Sequence, residues 1–289
     1  MKRLRHLLEG AALWVALGLF RLLPIERASA LGGRLGRLAG RMSPKSRTAR
    51  RNLRAAFPAM TDGEIERTIA GMWDNLGRFL AEMPHIHELD VYGGDRVDIV
   101  LAPEVERLLD ERRPAIYFTA HFGNWEVSPL AAVQRGIDLT LVYRVASNPW
   151  SERLIQRWRE KRGGRWARKG REGARALIAG LSSDGSLAIL ADQKMNEGLP
   201  VPFFGREAMT ATAIAELALK FDVPLVPARV ERLPRARFRI VVPPPLAVPR
   251  TGDKQTDVFA ILSAINRLFE DWIRERPDHW LWIHRRWGE

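Results

Sequence analysis

The segment His121-Phe122-Gly123-Asn124-Trp125-Glu126 holds the residue types and spacing best suited to chemistry in this chain. It follows the apolar run Ala115-Ile116-Tyr117-Phe118, which reads as a buried strand. Imidazole is the side chain most able to take a proton near neutral pH. A carboxylate on its other ring nitrogen fixes the tautomer and stabilises the cation that forms. With His121 in a turn and a helix opening near Asn124, Glu126 falls in the first helical turn. A carboxylate suits the dipole there, and Glu126 is expected to reach back to the imidazole. Such a pair is a base with an orienting acid but no protein nucleophile. No Gly-x-Ser-x-Gly elbow occurs, and the 289 residues include no cysteine. The proton would then come from a substrate hydroxyl or from water. On residue types alone, the alternative is a core histidine beside a helix-terminal acid.

Other chemistries find no support. There is no His-Glu-x-x-His, no Gly-x-Gly-x-x-Gly and no Gly-x-x-x-x-Gly-Lys-Ser/Thr. His85 and His87 share one stretch without a cysteine or acid cluster that would make them metal ligands, so neither a metal nor a cofactor is expected.

The elements that must hold the pair alternate from about residue 95 onward. Strands are expected at Val97–Leu101, Ala115–Thr119, Leu139–Tyr143, Leu187–Leu190, Leu225–Val230 and Phe238–Val242. Helices fit Pro103–Arg112, Trp125–Gln134, Pro149–Arg162, Glu172–Leu181, Ala211–Lys220 and Asp257–Arg276. The alternation argues an α/β fold with a mostly parallel central sheet flanked by helices, in which sites gather at the carboxyl ends of strands. Residues 25–90 read as a helical lead-in to a core over 95–289. Pro44 and Pro58 act as breakers, and Thr61 with Glu64 forms a capping box before a helix carrying Ile65, Ile69, Met72, Trp73, Leu76, Phe79 and Leu80.

Net charge is +12. From Met1 to Arg54 there are 13 Lys/Arg against Glu9 and Glu26, and from Tyr143 to Arg175 there are 11 against Glu152, Glu160 and Glu172. Both stretches favour anionic partners. Residues 11–20 form an unbroken apolar run that is shorter than the ~20 residues of a spanning helix. Lys2, Arg3 and Arg5 before it and Arg21 after it favour an anionic leaflet at both ends. Residues 1–24 are therefore expected to form an uncleaved, membrane-associated helix; the alternatives are an ordinary core helix and a secretory signal ending at Ala28-Ser29-Ala30, which Arg21 interrupts.

Several motifs in order resemble the late acyltransferases of lipid A biosynthesis, the lauroyl/myristoyl transferase family within the lysophospholipid acyltransferase superfamily. They are Ala49-Arg-Arg-Asn-Leu-Arg54 with Phe57-Pro58, His121–Glu126, Tyr143-Arg144 with Asn148-Pro149, Ala191-Asp192-Gln193, Val201-Pro-Phe-Phe-Gly-Arg206 and Trp280-Leu-Trp-Ile-His-Arg-Arg-Trp287. The resemblance implies an enzyme of the bacterial inner membrane with its site facing the cytoplasm. It would move a fatty acyl chain from acyl carrier protein to a hydroxyl of a lipid A precursor, with no cofactor. The family's His-x-x-x-x-Asp/Glu dyad maps onto His121 and Glu126, and its further functional positions map onto Arg144, Arg159 and Asp192. The run Trp158-Arg159-Glu160-Lys161-Arg162 offers more than one arginine for one role.

In that frame His121 deprotonates the acceptor, and Glu126 orients His121. Arg144 or backbone N–H groups are candidates to meet the thioester oxyanion. Asp192 and Gln193 are candidates to bind substrate, Asp192 also to orient an arginine, or to shape a strand end. Phe203, Phe204 and Gly205 are candidates to line an acyl channel or simply to pack. The basic stretch suits acidic acyl carrier protein and an anionic glycolipid acceptor, and nucleic acid is not the expected partner. The Trp-rich end fits either a membrane interface or the core. The rival readings are acyl transfer to another glycolipid or a lysophospholipid, a thioesterase-like hydrolase with water as acceptor, and a basic binding protein without catalysis.

Overall fold

The computed structural model describes residues 2–143, 145–146 and 148–287, and the side chains of all of these except 2–5 and 8. Four helices come first: α1 (Lys2–Leu22), α2 (Ile25–Met42), α3 (Lys45–Ala56) and α4 (Asp62–Glu82). Pro24 and Pro44 stand at the breaks between α1, α2 and α3. Thr61 opens α4 through the expected capping box, its hydroxyl accepting from the Glu64 N–H while Glu64 accepts from the Thr61 N–H at 2.8 Å. None of the described helices is long and apolar enough to cross a membrane.

The alternating region runs β1 (Val97–Leu101), α5 (Pro103–Asp110), β2 (Ile116–Thr119), α6 (Ser128–Gln134), β3 (Leu139–Tyr143), α7 (Pro149–Arg162), β4 (Arg165–Arg168), α8 (Arg171–Ser182) and β5 (Ser186–Leu190). The hairpin β6 (Lys194–Phe203) and β7 (Arg206–Thr210) follows, then α9 (Ala213–Phe221), β8 (Leu225–Pro227), β9 (Arg229–Leu233), β10 (Arg237–Val242) and α10 (Lys254–Glu275). A five-stranded, all-parallel sheet has the order β4-β3-β5-β2-β8. Both faces are covered. Ile116, Phe118, Leu187 and Leu225 point into one core with α4, α9 and α10, while Ala115, Leu139, Leu141 and Val226 point into another with α5 and α6. A second sheet, β1-β10-β9, pairs β1 and β10 parallel and β10 and β9 antiparallel.

Three expectations need correction. The stretch 225–230 is divided between sheets, β8 in the parallel sheet and β9 in the other. Strand β4 and the β6–β7 hairpin were not expected, because their charged and proline-containing sequences lack a clean alternation. The helix expected from Trp125 begins at Ser128, since residues 125–127 are still in the turn. Of the two placements open to the Trp-rich end, the core is the one found, with Trp280, Trp282 and Trp287 buried in it.

Helix α2 is pressed between α4 and solvent. A Cβ on Gly32 would stand 2.5 Å from Gly77 O, and one on Gly36 would stand 2.2 Å from Trp73 O. Glycine on both helices lets the backbones nearly touch. The opposite side of α2 exposes Leu31, Leu35, Leu38 and Met42 at helical spacing, and α1 exposes Val15, Leu19 and Leu22.

Candidate functional site

Strands β2 and β5 are parallel neighbours with Thr119 opposite Leu190. Two residues beyond each strand end stand His121 and Asp192, so the same offset brings them together at the carboxyl edge of the sheet. His121 Nδ1 lies 2.7 Å from Asp192 Oδ1, and the His121 backbone N–H donates to Asp192 Oδ2 at 2.9 Å. Trp280 Nε1–H donates to the same Oδ2 at 2.8 Å. The Asp192 side chain is fully buried and that of His121 is 13% exposed. Burial works against the charged form of each, but their mutual charge and hydrogen bond prevail. Asp192 is held well below the usual carboxylate range, and His121 is raised above its ordinary value, with a lesser push from the Glu126 charge.

A carboxylate on Nδ1 requires the proton there and leaves the Nε2 lone pair free as a base. The Gln193 amide nitrogen is 3.3 Å from Nε2, on the exposed side. A hydroxyl entering from solvent would replace that amide. The geometry provides a buried acid, an oriented imidazole and an accessible basic nitrogen.

Glu126 does not reach the imidazole as the sequence suggested. It accepts a hydrogen bond from Arg162 Nη1, and both side chains are largely buried. Because α6 starts only at Ser128, the turn carries Glu126 toward α7 and leaves Nδ1 to Asp192. Arg159, one helical turn before Arg162, lies with its guanidinium 4.1 Å from the Tyr143 ring centroid. Its Nε and Nη1 are buried without a hydrogen-bond acceptor, and its Nη1 is 3.9 Å from Glu152. Burial lowers its pKa, against the charges of Glu126 and Glu152.

The other sequence candidates divide. Arg144 lies outside the described residues. Phe203 and Phe204 are buried in an aromatic cluster, where Phe203 stacks on Trp287 and meets Trp280 edge-on, while Gly205 is exposed at the hairpin tip. Packing accounts for both rings. His85 is tied by Nε2 to Phe20 O at 3.0 Å, His87 packs against Trp158, and among the described residues no cluster of metal-ligating side chains occurs.

The residues of the turn are held by the C-terminal segment around His279 and Trp280 and by α4. Phe122 makes a bridge to Trp280, and Gly123 N–H donates to His279 O at 3.0 Å. Gly123 has φ +58, and a Cβ there would stand 2.1 Å from Val230 O, so glycine is required twice over. Trp125 stacks on Phe79 of α4 at 4.1 Å and meets the His121 ring edge-on at 5.0 Å. Sequence reading missed Trp280, Asn75, Glu82, Arg162 and Arg232 as parts of this site. Trp280 and Arg162 stood within noted motifs, whereas nothing in sequence marked the polar positions on α4 and β9.

The sequence profile of the family described as "Bacterial lipid A biosynthesis acyltransferase" matches residues 1–289. The lipid A biosynthesis lauroyltransferase of Escherichia coli (strain K12) is 25% identical over 94% of this chain and 90% of its own length. The lipid A biosynthesis palmitoleoyltransferase of the same organism is 24% identical with the same coverage. Among solved structures, the 1-acyl-sn-glycerophosphate acyltransferase PlsC of Thermotoga maritima aligns over 100% of both chains at 10% identity. Its TM-score is 0.37, a likeness too loose to bear on fold or chemistry.

Proposed function

Because the chain belongs to the bacterial lipid A biosynthesis acyltransferase family and is an acyltransferase, we propose that it moves a fatty acyl chain from acyl carrier protein to a lipid A precursor hydroxyl. The observation that carries the mechanism is the His121–Asp192 contact at 2.7 Å with Nε2 left on the accessible side. The acceptor hydroxyl displaces the Gln193 amide and gives its proton to His121 Nε2 as its oxygen attacks the thioester carbonyl. Asp192 stabilises the resulting imidazolium. Collapse of the tetrahedral intermediate breaks the C–S bond, and the departing thiolate takes the proton back from His121. An ester and a free thiol result, with no acyl-enzyme.

Charge developing on the thioester oxygen needs donors that lack a prior partner. Arg159 is the candidate, its Nε having no acceptor and its Nη1 only Glu152 at 3.9 Å, and Glu126 holds the neighbouring Arg162 in place. The exposed Arg153, Arg157, Arg165, Arg168 and Arg171 give acidic acyl carrier protein a surface to meet.

The reaction takes place, on this reading, at the cytoplasmic face of the bacterial inner membrane. The exposed apolar stripes of α1 and α2, edged by Arg27, Arg34, Arg37 and Arg41, suit a helix pair lying in an anionic leaflet without crossing it. The catalytic proposal is tested with acyl-acyl carrier protein and a lipid A precursor, following product by mass spectrometry. Transfer by the wild type and none by folded His121→Ala is expected, and full transfer by that variant ends it.

A further inference from the structure

A carboxylate that the mechanism does not use is buried behind the catalytic turn. Glu82, at the end of α4, is fully inaccessible. Its Oε1 accepts from Ser29 Oγ of α2 at 2.6 Å and from Arg232 Nη1 of β9. Its Oε2 accepts from Asn124 Nδ2 at 2.8 Å. Arg232 Nε then donates to Asn75 Oδ1 at 2.9 Å, and Asn75 Nδ2 donates to Gly123 O at 3.1 Å. Two consecutive residues of the turn are thus fastened to one buried charge network that draws on α2, α4 and β9.

A buried carboxylate is expensive unless charge and hydrogen bonds surround it, and a hydrophobic group of similar size often stabilises a fold equally well. Asn124 is also fully buried, and its Oδ1 has no donor, so its amide is committed to Glu82 alone. The next residue, Trp125, carries the ring that meets His121 edge-on. Helix α2, which supplies Ser29, also exposes the apolar stripe of Leu31, Leu35, Leu38 and Met42.

We propose that Glu82 is a positioning residue for acyl transfer, holding the His121–Glu126 turn through Asn124 and, by way of Arg232 and Asn75, through Gly123. It touches neither substrate nor the reacting atoms. Displacing a base by about 1 Å lowers turnover by up to ~100-fold while leaving remote substrate contacts intact. Loss of the network therefore lowers kcat and leaves KM for both substrates nearly unchanged.

This inference rests on His121 being the base, so two readouts are taken together in full-length protein. The first is kcat and KM for Asn124→Ala, Glu82→Gln and Glu82→Asp, with His121→Ala alongside. The second is the NMR resonance of the His121 Nδ1 proton, which senses its bond to Asp192 whether or not the reaction proceeds. The expected result is a fall in kcat of about tenfold to a hundredfold in Asn124→Ala and Glu82→Gln. KM stays within about twofold, the Nδ1–H resonance moves, and Glu82→Asp recovers part of the loss. If His121→Ala keeps full activity, the mechanism fails while a moved resonance still upholds the positioning. If Glu82→Gln does not fold, Asn124→Ala decides, because it leaves the Glu82–Arg232–Ser29 contacts in place. Wild-type kcat with an unmoved resonance in folded Asn124→Ala overturns the proposal. Failure of both variants to fold overturns it too, since the network would then serve folding alone.

Discussion

Asp192 Oδ1 lies 2.7 Å from His121 Nδ1, although 71 residues separate the two in sequence. The acid five residues from His121, Glu126, bonds Arg162 instead. Sheet register explains the difference. Parallel strands β2 and β5 end level with each other, and each chain continues two residues to its functional group. The partner of His121 is thus set by a neighbouring strand and not by its own turn.

Asp192→Asn is expected to lower kcat by about a thousandfold or more, because an amide at this position permits the wrong tautomer. Glu126→Gln should act through Arg162 and leave the His121–Asp192 bond in place. Steady-state acyl transfer by both variants measures this, and a larger loss in Glu126→Gln would return the orienting role to Glu126.

The pH profile has a defined sign. His121 must be neutral to act as a base, and its pKa is raised above the ordinary 6.5 by the charge and hydrogen bond of Asp192, despite burial. The acid limb of kcat/KM should therefore lie above 6.5 in the wild type. In Asp192→Asn only burial and the weaker Glu126 charge remain, and the limb moves to lower pH. An unmoved limb would mean that another group titrates.

Two glycines with positive φ separate strain from collision. Gly123 has φ +58 and Val230 O 2.1 Å from a notional Cβ, whereas Gly205 has φ +68 and open space around it. Gly205→Ala should destabilise by about 1 kcal/mol, the cost of a left-handed residue. Gly123→Ala should cost more, on the order of 3 kcal/mol, and displace the turn. Denaturant unfolding of the two variants gives the comparison, and equal losses would contradict it.

The apolar stripe of α2 predicts lipid binding. Leu35→Asn with Leu38→Asn removes two exposed leucines without touching the α4 face, so folding should be retained. At roughly 1.5 kcal/mol or more per leucine, vesicle affinity should fall about a hundredfold. Arg34→Glu with Arg41→Glu should weaken binding to anionic vesicles and leave weak binding to zwitterionic ones unchanged. Flotation with both vesicle types checks this, and unaltered flotation of the leucine variant would show that α2 does not enter the lipid.

Local features were legible in the chain. The capping box of Thr61 and Glu64, strands β1 and β3 to the residue, helix α7 and the placement of His121 just past a strand all follow from contacts within a few residues of sequence. Asp192 was visible as a strand-end acid, and the ordered motifs brought in the family that the profile match bears out. The pairings were not legible. Strand order decides that β5 lies beside β2, and only that adjacency makes Asp192 the partner of His121. The start of α6 at Ser128 sends Glu126 to Arg162, and the folding of α4 and β9 around the turn makes Glu82 and Arg232 part of the site. Periodicity and capping are short-range and written in residue order, so the sequence by itself determined most of the elements and the position of His121 past a strand end. Which carboxylate meets His121 depends on how distant strands pack, where burial and complementary charge are settled across the whole core, so only the tertiary structure decided it.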